Sequence, residues 1–197
     1  MKNKERVINF LRRTILWLLL VAVAGGCASS SLEVYRDPNM DLGAVYTVAV
    51  MPFVNLSKDQ LASDRVRDVF TTMLLADGRM YVIPAGEVAR QVGLAGITNP
   101  YAPTVDEVVK LGKMLKTQGV ITGVIREYGD VRAGTSTANV ISLSVQLTEV
   151  DTGKVVSSVS STKGGIGFTE RMFGGGGEPM NDVTEKAIKD VIIKLIY

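Results

Sequence analysis

The clearest alternation of apolar and polar positions lies between residues 120 and 162, where it predicts three consecutive β-strands. Over Ile141–Thr148 four apolar residues alternate with four polar ones, which places the two kinds on opposite faces of a strand. Val120–Tyr128 is apolar and β-branched, as is typical of a strand nearer the centre of a sheet. Asp151-Thr152-Gly153 predicts a tight turn, because glycine supplies a positive φ, and Lys154–Ser161 then returns as the partner strand.

Before this meander, short apolar runs alternate with amphipathic stretches. Leu61–Ala76 carries apolar residues at intervals of three and four, which predicts a helix that Gly78 ends. Thr104 followed by Glu107 has the capping-box pattern of another helix start. In chain order the predicted elements are a strand Thr47–Phe53, a loop Val54–Lys58, a helix Leu61–Ala76, a strand Met80–Pro84, a helix Glu87–Val92 and a helix that begins at Thr104. This order is that of βαβ units with a partly parallel sheet.

After the meander, the glycine-rich segment Gly164–Glu178 leads into a final amphipathic helix, which we expect Asn181 or Asp182 to cap. The apolar stripe of this helix consists of Val183, Ala187, Ile188, Val191, Ile192 and Leu195. The sequence therefore predicts an α/β fold, in which a mixed sheet with βαβ units is followed by an antiparallel three-strand meander and a C-terminal helix.

The first residues have the pattern of a secretory signal peptide. Five basic residues precede the apolar run Ile15–Val23, which is shorter than the roughly 20 residues that span a membrane. Ala24-Gly25-Gly26 then leads into Cys27, the only cysteine of the chain. This junction resembles the lipobox of bacterial lipoproteins, in which the cysteine is lipidated. The chain is expected to divide into a signal peptide (residues 1–26), a lipidated tether (27–45) and a single domain (46–197).

Lipidation of Cys27 would fix the protein to a membrane. One acyl chain gives only marginal binding, whereas the two or three chains of a bacterial lipoprotein would hold essentially permanently. Ala28 rather than Asp follows the cysteine, and by resemblance to the lipoprotein sorting rule this favours the periplasmic face of the outer membrane. Ala28–Val45 is polar and weakly patterned, which predicts a flexible tether with a span of roughly 25 Å.

Removal of the leader reverses the sign of the net charge. The whole chain has 22 basic and 20 acidic residues, and the loss of five basic residues and one acidic residue leaves 17 and 19, a net charge of −2. The remaining chain has no basic stripe, so nucleic acid is not an expected partner.

The composition offers little for catalysis. The chain has no histidine, which excludes Ser–His and Cys–His triads and most zinc sites. The carboxylates are scattered, so no acid–base pair stands out, and a Ser–Lys hydrolase is the enzymatic alternative left open. Gly174–Gly177 does not fit a phosphate-binding loop, because Glu178-Pro179 follows where Lys and Ser or Thr are required. We expect no enzymatic activity, no cofactor and no metal.

Three apolar side chains lie among the glycines of Gly164–Glu178, namely Phe168, Met172 and Phe173. A segment that only needed to be flexible would gain nothing from exposing them. Apolar residues on a loop often mark a contact with another molecule. These three residues are therefore a candidate interface with a neighbouring subunit or another envelope protein.

Three segments resemble a family of bacterial envelope lipoproteins that includes the curli secretion channel CsgG and the penicillin-binding-protein activator LpoB. They are Val48–Phe53 followed by Asn55 and Ser57, a strand with a central glycine at Gly123, and Val145–Val159. The resemblance covers most of Thr47–Ile196. It implies a non-enzymatic, CsgG-like α/β domain in the periplasm that forms homo-oligomers and works by binding other envelope proteins.

The resemblance thus implies an outer-membrane-anchored lipoprotein that acts as an assembly or scaffolding component of an envelope or secretion complex. Two alternatives stay open, a CsgG-type secretion-channel subunit and an activator of a peptidoglycan synthase. The short tether disfavours the activator, which must reach through the wall. The channel has two long amphipathic hairpins, whereas this sequence predicts a short polar loop between Glu127 and Asn139 and the glycine-rich Gly164–Glu178 in place of the second.

Replacement of Cys27 by serine tests the anchor. We expect Cys27→Ser to stay uncleaved at this junction or to move to the soluble fraction, because serine lacks the thiol that takes the lipid. Membrane fractionation and labelled fatty acid measure the two effects. Normal outer-membrane fractionation of the variant, with no label on the unmodified protein, would contradict the prediction.

Overall fold

The computed structural model describes Arg13 and residues 31–40, 42–133, 136–165 and 177–197. In these residues the strands are β1 (Ser31–Arg36), β2 (Thr47–Val50), β3 (Val54–Asn55), β4 (Tyr81–Val82), β5 (Gly119–Ala133), β6 (Ser136–Glu149) and β7 (Val155–Gly164). The α-helices are α1 (Ala62–Asp77), α2 (Ala85–Ala95), α3 (Val105–Leu115) and α4 (Met180–Ile196), and Leu42–Ala44 forms a 3-10 turn.

The strands of the described chain form one mixed sheet in the order β1-β7-β6-β5-β2-β4, and β3 pairs with β5 off this path. Strand β2 runs parallel to both β4 and β5, so the first half of the chain is built from βαβ units. Strands β5, β6 and β7 are antiparallel neighbours and form the predicted meander. The predicted α/β class, with a mixed sheet, a meander and a C-terminal helix, is confirmed.

Helices α1 and α4 cover one face of the sheet. The apolar face of β6 lies in this core, where Leu143, Val145 and Leu147 are buried as their alternation predicts. Phe53 and Phe70 meet edge to face in the same core, with ring centroids 5.7 Å apart. The apolar stripe of the last helix is also buried here: Val183, Ala187, Ile188, Val191, Ile192 and Leu195.

Helices α2 and α3 cover the other face of the sheet. The apolar core beneath these two helices includes, from the rest of the sheet, only its parallel part and Val150. Helix α3 begins with the predicted capping box, since Thr104 Oγ1 accepts from the Glu107 amide and the Glu107 carboxylate accepts from the Thr104 amide. Beyond this helix pair, β6 and β7 present hydroxyl groups that bond each other. Ser144 and Ser160 share a hydrogen bond of 2.6 Å between their hydroxyl oxygens.

The central glycine of β5 has a packing reason. A Cβ added to Gly123 would lie 2.7 Å from a ring carbon of Phe53, closer than carbon atoms approach without a shift. The ring of Phe53 therefore occupies the space that any larger side chain at this position would need.

The tether prediction is wrong for Ser31–Arg36. These six residues form β1, which pairs antiparallel with β7 over its whole length. Leu32 and Val34 alternate with Ser31 and Glu33, but this run is short and every residue of β1 is exposed, so it predicts no buried strand. Backbone pairing with a strand already held in the sheet orders this segment.

The short polar loop expected between Glu127 and Asn139 is also wrong. Strands β5 and β6 stay paired from Gly119 opposite Glu149 to Ala133 opposite Ser136. Short alternating runs are present here, with Val131 between Asp130 and Arg132 and with Ala138 and Val140 on either side of Asn139, and the ladder hydrogen bonds extend the hairpin through them. A register shift between Ile125 and Glu127 marks a bulge within the paired strands, beyond which Tyr128 and Ile141 still lie in the core.

Smaller differences concern element ends. The short strand Val54–Asn55 lies in the expected loop, and α2 extends from Ala85 to Ala95, beyond Glu87–Val92. Helix α4 begins at Met180 after Pro179 rather than at a side-chain cap on Asn181 or Asp182.

Substitution of Leu147 measures the buried face of β6. Its side chain is fully buried, so Leu147→Ala should cost about 2–5 kcal/mol and Leu147→Met less than about 1.5 kcal/mol in the free energy of unfolding. On the opposite face, Ser144→Ala removes a partly buried hydroxyl pair and should cost at most about 1 kcal/mol. Denaturant unfolding compares the three. Equal losses for Leu147→Ala and Ser144→Ala would contradict the assignment of faces.

Candidate anchoring and contact surfaces

The four site residues predicted from the sequence lie outside the described residues. They are the lipidation residue Cys27 and the candidate interface residues Phe168, Met172 and Phe173. The described chain nevertheless fixes where the segments that contain them join the fold. Only residues 28–30 separate Cys27 from the first residue of β1, Ser31.

The chain enters and leaves residues 166–176 at the beginning of β6. The Gly165 amide donates to the Asn139 carbonyl at 2.8 Å, and the Gly177 amide donates to the Thr137 carbonyl at 3.2 Å. Gly164 has a φ of +88°, which favours glycine where β7 ends. The segment with the candidate interface thus begins and ends beside the projecting β5–β6 hairpin.

Strand β1 is an edge strand that exposes apolar side chains. Leu32, Val34 and Tyr35 are 40%, 47% and 53% exposed. One edge of the strand bonds β7, and the Asp37 amide continues this ladder by donating to the Val156 carbonyl at 3.0 Å. Such an edge is a surface on which a further chain can pair.

Arg36 fixes the end of β1 to the end of α4. Its Nη1 donates to the Tyr197 carbonyl oxygen at 2.8 Å and its Nη2 to the Lys194 carbonyl at 3.0 Å. The last carbonyls of a helix lack partners within the helix, and a cation there also interacts favourably with the helix dipole. One side chain therefore ties the segment next to Cys27 to the C-terminal helix.

Tyr197 extends this contact to the end of α1. Its hydroxyl donates to Asp77 Oδ1 at 3.0 Å, and the guanidinium carbon of Arg79 lies 3.2 Å from the centre of its ring. Desolvation and the hydrogen bond to Asp77 raise the pKa of the Tyr197 hydroxyl, so it stays neutral and keeps donating at physiological pH. We call Arg36, Asp77, Arg79 and Tyr197 the terminal cluster.

A groove of about 890 Å³ runs between α1 and α4. Met73, Ile192 and Ile193 give it an apolar floor, whereas charges of both signs stand around it: Asp77, Asp182, Glu185, Lys186 and Lys189. This mixed rim selects neither an anion nor a cation.

A second cavity, about 530 Å³, separates the Leu56–Asp59 loop from the base of the hairpin. Its wall contains Lys58 and Arg126 beside Glu127 and Asp130, again charges of both signs. Two of its lining carboxylates pair with arginines, Asp59 with Arg65 at 2.9 Å and Asp130 with Arg132 at 3.2 Å.

The titratable groups with shifted pKa values belong to structural contacts. Hydrogen bonds from Arg90 and then from Gln91 lower the pKa of the exposed Glu87 to about 2. Desolvation lowers the pKa of the Arg67 guanidinium, whose Nη2 donates to the Val50 carbonyl at 2.7 Å. The Glu87 shift comes from partners on the same helix, whereas that of Arg67 comes mainly from burial against the end of β2.

The described residues contain neither a cluster that could hold a metal ion nor a helix that could span a membrane. No group of three or more histidine, cysteine, aspartate and glutamate side chains is placed to hold a metal ion in that part of the chain. No helix among the same residues combines the length and the apolar character needed to cross a membrane.

Comparison with known proteins gives structural likeness only. No protein-family model matches the chain, and no curated protein matches its sequence. A PelC dodecamer from Paraburkholderia phytofirmans is 15% identical, with a TM-score of 0.57 and coverage of 85% of this chain and 99% of that one. Lipoprotein GNA1162 from Neisseria meningitidis is 23% identical, with a TM-score of 0.51 over 61% of this chain and 83% of that one.

The LpoB C-terminal domain from Salmonella enterica is a more distant likeness, 16% identical with a TM-score of 0.47 over 64% of this chain and 86% of that one. At these identities the comparisons establish the fold alone. The predicted α/β fold is thus shared with PelC and with a solved lipoprotein. The link to CsgG stays a prediction.

Nothing in the sequence pointed to the terminal cluster. Arg36 and Tyr197 are 161 positions apart in the sequence. A single arginine in a polar segment is normally interpreted as a solvated surface charge. Tyr197 is the last residue of the sequence and follows the apolar stripe of α4 without belonging to it. Only the packing of the last helix beside the first strand brings these residues together.

Loss of the Arg36 guanidinium should release β1. Arg36→Gln removes two charge-assisted hydrogen bonds from an exposed strand, a local loss of about 1 kcal/mol. Hydrogen exchange should become faster for the amides of Ser31–Arg36 and stay unchanged in β6. The matched control is Arg132→Gln, since Arg132 is an exposed arginine paired only with Asp130 among the described residues. Unchanged protection of β1 in Arg36→Gln would contradict the role of this contact.

Proposed function

We propose that this protein is a lipoprotein of the outer membrane, held at its periplasmic face by lipid on Cys27. It acts without catalysis, as an assembly or scaffolding component of an envelope or secretion complex. Its partners are copies of itself and other envelope proteins, and it needs no cofactor and no nucleic acid.

The observation that carries this proposal is the place of β1. The strand begins four residues after Cys27 and is tied to the sheet by β7 and to α4 by Arg36. A lipid on Cys27 would therefore hold the whole domain directly at the membrane rather than at the end of a long flexible linker. A domain in this position is suited to organise neighbours along the membrane surface, which is a scaffold's task.

Assembly into a homo-oligomer is part of the proposal. PelC, which is similar in fold, is solved as a dodecamer, and this supports the capacity of the fold to form oligomers. In this chain the exposed edge of β1 and the apolar-floored groove between α1 and α4 are surfaces available for contact. Phe168, Met172 and Phe173 are the proposed interface residues in the segment that starts and ends beside β6.

A CsgG-type secretion-channel subunit is the second candidate. The observation that favours it is the β5–β6 hairpin, which continues to Ala133 and Ser136 at the place where the resembling channel carries its first long hairpin. An activator of a peptidoglycan synthase is disfavoured, because the free chain between Cys27 and β1 is shorter than expected. Residues 28–30 alone cannot carry the domain across the wall.

Crosslinking in intact cells tests the scaffold proposal. The lipidated protein is crosslinked in intact cells, extracted from the outer membrane with mild detergent, and sized by light scattering. The scaffold proposal expects a discrete homo-oligomer together with other envelope proteins that are absent from the Cys27→Ser sample. A monomer with no crosslinked neighbour, in a cell that makes the protein at its natural level, would contradict it.

Substitution of the two phenylalanines tests the proposed interface. Phe168→Ser with Phe173→Ser should weaken assembly because the contact loses two apolar rings, while the melting temperature of the monomer stays almost unchanged. Light scattering and native crosslinking report assembly, and a melting curve reports stability. A matched control is Leu94→Ser, which removes a side chain 65% exposed on α2 and should change neither.

The interface assignment would be wrong if the double variant assembled normally but melted much lower than the unmodified protein. That result would place the two rings in the core of the monomer. A loss of both assembly and stability is separated by repeating the measurement well below the melting temperature, where only a true interface residue still reduces assembly.

A further inference from the structure

The backbone of β1 presents alternate amides and carbonyls to a free edge of the sheet. The Asp37 amide donates to the Val156 carbonyl of β7, and hydrogen-bonding directions alternate along a strand. Every second residue before Asp37 therefore also directs its backbone groups at β7. The residues between them direct theirs away from β7, where the described sheet ends: Leu32, Val34 and Arg36.

This edge lacks the features that usually keep an edge strand from pairing. Short length, bulges, proline and lysine are common means of protection. Strand β1 is six residues long, pairs with β7 without a register shift, and contains neither proline nor lysine. The strand at the opposite end of the described sheet, β4, has only two residues and is protected by its length. The edge of β1 is therefore the one that can accept a further strand.

The side chains of β1 on the α4 side are apolar and already ordered. Val34 lies opposite the buried Val159, and Leu32 shares its face, so two exposed apolar side chains extend the core outward. On the same face, Arg36 is held by the last carbonyls of α4. Because β7 and Arg36 hold the strand in place, a second strand can pair with it at a small cost in conformational entropy.

Charge selects the register in which two copies of β1 can pair. Opposed residues of antiparallel strands both direct their backbone groups at each other or both direct them away, so the two-fold axis must pass beside a residue. An axis at Glu33 sets two carboxylates opposite each other, an axis at Arg36 sets two guanidiniums, and an axis at Tyr35 sets Glu33 opposite Asp37. Like charges in these positions are destabilising.

Two further registers avoid like charges. An axis at Leu32 leaves half of β1 unpaired, because the strand begins at Ser31. An axis at Val34 pairs the whole strand and sets no like charges opposite each other.

We propose that β1 pairs antiparallel with β1 of a second copy, about a two-fold axis at Val34. This contact specifies the homo-oligomer of the proposed function and rests on it. The two copies exchange about six backbone hydrogen bonds, and their sheets become one. The two Val34 side chains meet on the α4 side, where Leu32 faces the aliphatic stem of Arg36 of the second copy. On the opposite face, Glu33 lies across from Tyr35 of the second copy.

Cysteine crosslinking tests this register. In Val34→Cys the two new thiols oppose each other with Cα atoms about 5.5 Å apart, which is within the range of a disulfide. The matched control is Leu32→Cys, on the same face of the same strand. Since Leu32 faces Arg36 of the second copy, the two Leu32 positions are four residues out of register and about 14 Å apart.

In the proposed function lipid blocks the only native cysteine, Cys27, so the new thiols can be oxidised in intact cells with copper phenanthroline. We expect a disulfide-linked dimer of Val34→Cys on a non-reducing gel and no such dimer of Leu32→Cys.

Proline tests the backbone pairing independently. Val34→Pro removes an amide that faces the free edge and no hydrogen bond to β7, and edge strands tolerate proline at such positions. Light scattering of the lipoprotein in detergent should show the protein mass falling by about half, with an unchanged melting temperature. Val34→Thr keeps the amide and a β-branched side chain, and should assemble like the unmodified protein. Where Val34→Pro melts lower, the two cysteine variants decide the question.

Three results would overturn different parts of the argument. Equal crosslinking of Val34→Cys and Leu32→Cys, or full-mass assembly of Val34→Pro without a Val34→Cys crosslink, refutes the pairing and leaves the homo-oligomer to another surface. A monomer of the unmodified protein and of every variant refutes the homo-oligomer, and the pairing with it. A disulfide dimer of the unmodified protein shows a free thiol on Cys27 and refutes the anchor, and Val34→Cys in a Cys27→Ser background then decides the pairing.

Discussion

Strand β6 is held on both sides, by β5 along its whole length and by β7 over most of it, while its apolar face is buried under α4. Because side chains alternate with a period of two, a slip of one residue would move Leu143, Val145 and Leu147 out of the core and put polar residues such as Ser144 and Gln146 in their place. This penalty fixes the register of β6. The register in turn fixes how far the hairpin projects, where β7 ends, and which residue of β7 each residue of β1 faces.

The first and last described segments of the chain depend on one another. Strand β1 exposes all of its side chains and contributes little apolar burial, so backbone pairing with β7 and the Arg36 contact with α4 must hold it. Tyr197 links that contact to Asp77 and Arg79 at the end of α1. The segment that follows the proposed lipid is thereby joined to the domain within a few residues, and this shortens the connection between membrane and fold.

The described surface of the chain carries mixed charges and locally paired polar groups. Its two main cavities are bordered by charges of both signs, and its shifted pKa values arise from local hydrogen bonds and desolvation on helices. The hydroxyl groups of β6 and β7 bond each other across the strands, as in the Ser144–Ser160 pair. Contact surfaces built from edges, grooves and loops need none of the convergent polar groups that catalysis requires.

The sequence by itself determined the elements whose side-chain pattern reports burial. The alternation in β6, the helical stripes of α1 and α4, the capping box at Thr104 and the glycine turn at Gly153 all encode local structure in neighbouring residues. It also offered Cys27 and the three apolar residues of Gly164–Glu178 as candidates, which lie outside the described residues. Tertiary structure alone decided that Ser31–Arg36 is a strand, that the hairpin continues to Ala133 and Ser136, and that Arg36 meets Tyr197. These features rest on backbone ladders and on contacts between distant parts of the chain, and the side-chain alternation in β1 and at the end of the hairpin is too short to predict them.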